Sequence, residues 1–239
     1  MKKLLVSLLL IIAFPLCLMA EDFLAQADAL YNKKDLDGFK QSIELYLKAF
    51  QANPKSYEIA WKTSRAFRDY GDKAKTENIP GWKDICKTTG KSGMEYGLKA
   101  QALEPNGVEG WWYYGLSVGT YSDAVSILTA LKEGLKNKTQ KGFEMAYAKN
   151  KMLDDGGPIL ALGRFWMVLP WPMKDSKKSE QYLREYLKLF PNKAEAQVYL
   201  GELLMDDKKD EAKILLEKAA ASSEKYWADQ AKTFLAKIK

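Results

Sequence analysis

Three segments of the sequence end in the same way, with an apolar helical stretch that runs into a proline. They read YLKAFQANP at 46–54, GLKAQALEPN at 97–106 and YLKLFPN at 186–192. Proline cannot continue a helix interior, so each of these prolines predicts the end of a helix. A period of 3.6 residues recurs between them, and no stretch alternates apolar and polar residues as a strand would. We therefore predict an all-α chain.

Each of these turns is followed by a helix that carries an aromatic or apolar residue and then a small one a turn later. The stretches are Tyr57 to Phe67, Trp111 to Gly115, Leu160 to Gly163 and Gln197 to Gly201. A tetratricopeptide repeat has this pattern, because its two helices cross closely at a small residue and a proline ends the second helix. The chain resembles that family, with about four to five degenerate helical hairpins.

The spacing of the prolines shows that the repeats carry insertions. Pro54, Pro105 and Pro191 are 51 and 86 residues apart, whereas regular repeats recur every 34 or so. We predict a long polar connection over 72–92 and an extra amphipathic helix over 122–135. That helix would place Val125, Leu128, Leu131 and Leu135 on one face. Residues 224–239 are expected to form a C-terminal capping helix.

The N-terminus has the pattern of an exported protein. Lys2 and Lys3 precede an apolar run from Leu4 to Ala20, which is followed by acidic residues. This pattern predicts a signal peptide over 1–20, cleaved after Ala20, and a single periplasmic helical-repeat domain over 21–239. Lipidation at Cys17 is the alternative, although a large residue, Leu16, precedes that cysteine.

Composition argues against several classes of function. The sequence contains no histidine, which excludes histidine-based acid/base catalysis and most zinc sites. Asp154-Asp155-Gly156-Gly157-Pro158 lacks the further oxygen ligands of a calcium loop and is typical of a helix terminus. The net charge of +6 is well mixed along the helices, unlike a nucleic-acid footprint. We expect no enzyme activity, no cofactor, no metal and no nucleic-acid partner.

The aromatic run from Trp111 to Tyr114 is a candidate binding feature. Four successive helical residues sweep most of the helix circumference, so they cannot all enter one core stripe. One interpretation buries three of them between neighbouring helices. The other exposes one or two in a groove that holds a ligand or a partner, with Trp111, Trp112 and Tyr114 as the candidates.

A second candidate lies in the apolar stretch 162–172. Arg164 is its only charge, so it either anchors the structure or contacts a ligand. Trp166 follows in the same helix. Trp171 stands between two prolines that prevent a helix, so we expect its ring to be displayed.

This second stretch carries a more specific resemblance. LGRFW at 162–166, LPWP at 169–172 and the helix ending at Pro191 resemble the T component of tripartite ATP-independent periplasmic (TRAP) transporters. The stretch 102–115, with ALEPN and then Trp112, Tyr113 and Gly115, is similar too. Only the Gly-Arg-aromatic and Pro-Trp-Pro positions match the motifs of that family residue by residue. Family members are often lipoproteins, and this chain lacks their usual lipidation signal.

The resemblance implies a periplasmic accessory protein that associates with the transporter's substrate-binding protein. It also implies a groove or pore for a small apolar or carboxylated ligand, and a homo-oligomer. The alternative is a general envelope scaffold that binds a helix or an extended segment of another protein.

Overall fold

The computed structural model describes residues 18–238, and within this range the chain is helical without any strand. The chain divides into two compact units at Lys149 and Asn150. The first contains α1 (18–31), α2 (Leu36–Ala52), α3 (Tyr57–Thr76), α4 (Trp82–Leu103), α5 (Val108–Ser122), α6 (Ile127–Lys132) and α7 (Leu135–Asn150, which ends at the boundary). The second contains α8 (Leu153–Val168), α9 (Ser176–Leu189), α10 (Ala194–Leu204), α11 (Lys209–Ala220) and α12 (Lys225–Leu235).

The helix ends follow local sequence signals. Asp35, Ser56 and Asp175 accept hydrogen bonds from backbone N–H groups of the first turns of α2, α3 and α9. Such side chains satisfy donors that the helix itself leaves without a partner. The helices α2, α4 and α9 each end two residues before a proline, at Pro54, Pro105 and Pro191 respectively. The predicted ends are therefore confirmed.

The helices form hairpins of the tetratricopeptide type, as predicted. Successive helices pair as α1 with α2, α3 with α4, α8 with α9 and α10 with α11, while α5 pairs with α7 across the short α6. The first helices are thus α1, α3, α5, α8 and α10. The last helix, α12, packs on α11 and closes the described chain, as the capping prediction required.

Close crossings in two hairpins join a serine to a glycine. In the α3/α4 hairpin the Ser64 hydroxyl donates to the Gly93 carbonyl at 2.7 Å. In the α8/α9 hairpin the Ser179 hydroxyl donates to the Gly163 carbonyl, also at 2.7 Å. A side chain on Gly163 would lie 2.8 Å from Leu183 of α9, whereas one on Gly93 would lie 3.3 Å from the Ser64 carbonyl oxygen and closer still to the Ser117 hydroxyl of α5. The glycines therefore allow the helix axes to approach.

Each unit has an apolar core of its own. In the first unit Tyr31, Phe39, Ile43 and Tyr46 pack together. In the second unit Leu183, Leu200, Leu204 and Ala212 form one cluster, and Val198 and Leu216 belong to another. Burial of this apolar surface is the main favourable contribution to folding.

The prediction of a long polar connection over 72–92 is wrong. Residues 72–76 complete α3, residues 82–92 begin α4, and only a short turn separates the two helices. Small residues make the contact between them, because the Cys86 thiol donates to the Gly71 carbonyl at 3.2 Å and Gly71 lies against Thr89. Ala74 and Gly90 are buried in the same two helices. Small side chains give little hydrophobic periodicity, so the sequence pattern resembled a loop.

An extra helix does lie within 122–135, as predicted, but its predicted extent and apolar face are wrong. The helix α6 is only six residues long, and Gly134 ends the following turn with a positive φ. Leu128 and Leu131 are exposed, whereas Leu135 begins α7 and is buried. The apolar residues of this segment therefore do not share one buried face.

The backbone departs from helical geometry at the start of α8. Asp154, Asp155 and Gly156 have left-handed conformations, with φ of 48°, 55° and 81°. Gly156 faces the rings of Tyr186 and Phe190 so closely that a side chain would clash. Pro158 then occupies the first helical turn, where its missing N–H is harmless. No group of three potential metal-ligating side chains occurs in residues 18–238.

The predicted signal peptide lies largely outside the described residues. The described chain begins with α1, which runs through Ala20 without a break. Ala20 is buried beside Ala49 and Ile59. Within 18–238, no helix combines the length and apolar character needed to cross a membrane.

Candidate functional site

Arg164, the only charge in its apolar stretch, has a structural partner in the second unit. Its Nη1 lies 3.0 Å from Oε2 of Glu202 on α10. The guanidinium also lies over the ring of Tyr199, 4.5 Å from the centroid. Both contacts join α8 to α10, so Arg164 links the first helices of two successive hairpins.

The two tryptophans of the same segment have opposite environments. Trp166 is buried, packs edge-on against Phe165 and lies 4.2 Å below the ammonium group of Lys178. Trp171, which we expected to be displayed, is 90% exposed. It lies in a turn in which the Met173 N–H donates to the Pro170 carbonyl at 2.8 Å. Of the two candidate tryptophans in this unit, Trp171 has the exposed ring and Trp166 the buried one.

The aromatic run in the first unit is mostly buried. Trp112 packs against Phe143 of α7, Tyr113 stacks on Trp61 of α3, and Tyr114 lies in a core cluster with Val118. Trp111 is partly exposed, and its indole N–H donates to the Pro105 carbonyl at 3.2 Å. This burial of three residues matches the packing interpretation of the run. Trp112 and Tyr114 are accordingly part of the packed interior.

The stacked pair Trp61 and Tyr113 belongs to an aromatic cluster of α1, α3 and α5 in which Tyr31 and Tyr113 are buried and Trp61 and Arg65 are partly exposed. We call it the α1/α3/α5 face and define it by Tyr31, Trp61, Arg65 and Tyr113. Trp61 and Tyr113 stack with centroids 5.7 Å apart and planes 10° apart. The Arg65 guanidinium carbon lies 3.8 Å from the centroid of Tyr31 and 5.0 Å from that of Trp61.

Ion pairs flank this face on both sides. Lys62 Nζ lies 2.7 Å from Asp28 Oδ2 and 2.6 Å from Glu58 Oε1. On the other side Arg68 Nη1 lies 2.8 Å from Asp69 Oδ1. Each aspartate is thus already paired with a cation.

The same aspartates accept hydrogen bonds from tyrosines. The Tyr46 hydroxyl donates to Asp28 at 2.6 Å, and the Tyr31 hydroxyl donates to Asp69. Burial, together with these carboxylates, raises the pKa of both tyrosines far above the usual value for a phenol. Both hydroxyls therefore stay protonated and neutral at any physiological pH.

Arg65 differs from the other cations of this face. Its hydrogen bond goes to the neutral Tyr46 hydroxyl at a long 3.4 Å, while its buried Nε–H, like that of Arg68, lacks an acceptor within the described structure. Burial lowers the pKa of the Arg65 guanidinium, whereas the neighbouring phenols Tyr31, Tyr113 and Tyr46 raise it, and together they hold the pKa above its usual value. The residue is partly exposed. The α1/α3/α5 face therefore carries a cation that no described carboxylate neutralises.

One signal in the sequence could have pointed to this face. Trp61 and Arg65 are four residues apart, so they lie on the same side of α3. Tyr31 and Tyr113 come from two other helices, and only the fold brings them to Arg65.

Comparison with solved structures places the chain among helical-repeat proteins. It superposes on a thermophilic TPR protein of Thermus thermophilus with a TM-score of 0.61 and 17% identity, covering 91% of this chain and 99% of that one. The pilF protein of Pseudomonas aeruginosa gives a TM-score of 0.60 at 13% identity, covering 92% and 88%. A structure of MamA gives a TM-score of 0.54 at 19% identity, covering 84% of this chain and 95% of that one. At these identities the likeness shows a shared fold.

Sequence comparisons give no match of their own. No protein-family model matches the chain, and no curated protein matches it either.

Proposed function

We propose that this protein is an exported helical-repeat binding protein that acts as the T component of a TRAP-type transporter and docks its substrate-binding protein. One observation carries the proposal. The Trp171 ring, in the segment that resembles that family, is 90% exposed. A rigid exposed aromatic gives large contact area for little loss of conformational entropy.

The fold supports a binding role. Tetratricopeptide-type arrays present the side chains of successive helices as an extended surface for partners. The exposed ring of Trp171 is a feature that such a surface uses.

The test is affinity capture from envelope extract with the processed protein, with mass spectrometry of the captured proteins. Recovery of a solute-binding protein, and its loss in Trp171→Ala, is the expected result. The matched control is Tyr226→Ala, which removes another exposed aromatic of the second unit. Trp171→Ala should change the free energy of unfolding by less than about 0.5 kcal/mol, because an exposed ring contributes little packing.

A second function, a general envelope scaffold, rests on the same fold. Capture of other envelope proteins alone, with equal yield from Trp171→Ala, would contradict the transporter proposal and favour the scaffold. A collapse of stability in Trp171→Ala would instead mark that ring as a packing residue.

Export is part of the proposal. The intact mass of protein recovered from the envelope should correspond to a chain that begins at Glu21. A mass that corresponds to a lipid-modified chain beginning at Cys17 would support the lipidated alternative.

A further inference from the structure

We propose that α6 of the first unit attaches the protein reversibly to the surface of a membrane that contains anionic lipids. The contact surface, which we call the α6 surface, is defined by Ile127, Leu128, Leu131, Lys132 and Lys138. It uses none of the residues on which the transporter proposal depends, and it requires no lipid on the chain itself.

Three large aliphatic side chains of α6 are exposed to solvent. The exposed fractions are 67% for Ile127, 77% for Leu128 and 53% for Leu131. Successive helical residues are about 100° apart, so these three positions share one side of the helix. Half of this six-residue helix therefore presents aliphatic surface to water. A contiguous apolar patch of this kind marks a place that another apolar phase covers.

The fold holds these side chains outward. Ser126 caps α6 by accepting a hydrogen bond from the Thr129 N–H at 3.1 Å. On another side of the helix, Ala130 packs against the buried cluster that contains Tyr121 and Leu135. The helix is thus fixed to the first unit through a small residue, while its large aliphatic residues face solvent.

Lysines border the aliphatic side chains. Between positions 124 and 141 the chain has four lysines and one acidic residue. Lys132 directly follows Leu131, and both Lys132 and Lys138 are exposed. Lys138 is close to Leu131 as well, because its N–H donates to the Gly134 carbonyl at 3.2 Å and the Gly134 N–H donates to the Leu131 carbonyl at 3.1 Å. Anionic headgroups would complement this positive charge.

The carboxylates near α6 have partners of their own. The Tyr121 hydroxyl donates to Glu133 Oε1 at 3.1 Å, and Asp123 pairs with Lys75. Lys91 adds a cation on the same side as Glu133, because its ammonium group lies 5.3 Å from the centroid of the Tyr121 ring. The surroundings of α6 therefore keep an excess of positive charge.

The composition of the α6 surface favours lipid over a protein partner. Protein interfaces concentrate their binding energy in tryptophan, tyrosine and arginine, and they are depleted in lysine. The α6 surface consists of aliphatic and lysine side chains. Helices that lie in the headgroup region combine an apolar side with lysines whose ammonium groups reach the phosphates. Because only three aliphatic side chains are available, attachment needs the apolar and the charged contribution together and stays reversible.

Vesicle binding of the processed chain tests the proposal. This chain begins at Glu21, so the apolar run 4–20 cannot contribute. Vesicles of phosphatidylcholine alone are compared with vesicles of equal parts phosphatidylcholine and phosphatidylglycerol, and bound protein is measured by flotation. At low salt we expect at least about tenfold stronger binding to the anionic vesicles, since each lysine near such a surface contributes about fivefold. Added salt should reduce this difference.

A double variant tests the aliphatic contribution. Leu128→Gln with Leu131→Gln should weaken binding to the anionic vesicles at least about tenfold, because it removes apolar surface from the contact. The matched control is Leu98→Gln with Ile214→Gln, which changes two aliphatic side chains outside the α6 surface that are 52% and 54% exposed. The control should bind as the unmodified protein does. Urea unfolding checks that both double variants are folded.

A second double variant tests the charge. Lys132→Gln with Lys138→Gln should weaken binding to the anionic vesicles at least about fivefold and leave binding to phosphatidylcholine unchanged. Lys33→Gln with Lys55→Gln is the matched control, because it removes the same charge from exposed positions elsewhere in the first unit. Trp171→Ala should bind vesicles as the unmodified protein does, so this surface and the transporter proposal can fail separately.

Four results would overturn the inference. One is equal binding, or none, of the unmodified protein to the two kinds of vesicle, which requires no variant to fold. Another is the same binding by the folded Leu128→Gln, Leu131→Gln variant and its control. Loss of binding in Trp171→Ala would move the lipid contact to the second unit. Loss of a captured envelope protein in the α6 variant, without vesicle binding by the unmodified protein, would assign the α6 surface to a protein partner.

Discussion

Arg164 and Glu202 form an ion pair between α8 and α10, with Nη1 and Oε2 3.0 Å apart. The sequence alone left open whether Arg164 anchors the structure or contacts a ligand. Because Glu202 of the same unit pairs with Arg164, a structural role is enough to explain why the guanidinium is there. Both side chains remain partly exposed, at 37% and 31%, so solvent screens their attraction.

We predict a small coupling energy for this pair. A double-mutant cycle of Arg164→Met and Glu202→Gln, followed by urea unfolding, should give a coupling of about 0.2 to 1 kcal/mol. Each single variant should fold. An Arg164→Met variant that fails to fold would show that the guanidinium does more than form this pair.

We predict opposite effects for two helical glycines of the first unit. A side chain on Gly142 would lie 2.7 Å from Gly115 Cα and 3.0 Å from Gly115 N, and this backbone cannot move aside without separating α5 from α7. Gly142→Ala should therefore lower the free energy of unfolding by about 1 to 3 kcal/mol.

Gly119 supplies the matched control, because a side chain there would meet nothing within 4 Å. Gly119→Ala should raise stability by up to about 1 kcal/mol through helix propensity. Urea unfolding monitored by circular dichroism measures both variants. If Gly142→Ala leaves the free energy of unfolding unchanged, the two helices can separate at little cost.

We predict that stability falls in alkali, in part through Cys86. Burial, with Asp123 and Asp72 nearby, raises the pKa of the Cys86 thiol to about 11, although Lys75 acts in the opposite direction. The folded state thus favours the protonated thiol. Its contribution is complete below the pKa of the unfolded thiol, roughly 8.5, and is lost as the pH rises towards 11.

Urea unfolding at pH values of about 8 and 10.5 tests this prediction. From the lower to the higher pH, the free energy of unfolding of the unmodified protein should fall by about 1 to 2 kcal/mol more than that of Cys86→Ala, since that variant lacks the thiol. Burial also raises the pKa of Tyr186 to about 12, so both proteins should share a further decline. Equal declines in the two proteins would contradict the role of Cys86.

The hairpin architecture was predictable because its signals are local. Pro54, Pro105 and Pro191 each follow a helix end, and a helix end depends mainly on its own sequence. The junction of α3 and α4 was not predictable in this way. Gly71, Ala74 and Cys86 are buried there, but none is large enough to produce the hydrophobic period by which a packed helix is identified.

The candidate residues were predicted less completely than the fold. Trp171 could be identified because its two prolines act on the adjacent backbone. The environment of Arg65 depends on Tyr31 and Tyr113, which are 34 and 48 residues away in the sequence. A sequence pattern reports residues that are close along one helix, whereas this face is assembled from three.

The serine and glycine at the close crossings exchange places between the two units. In the first unit α3 supplies Ser64 and α4 supplies Gly93, whereas in the second unit α8 supplies Gly163 and α9 supplies Ser179. The hydrogen bond across the crossing is thus the same in both hairpins, and it does not depend on whether the first or the second helix carries the glycine.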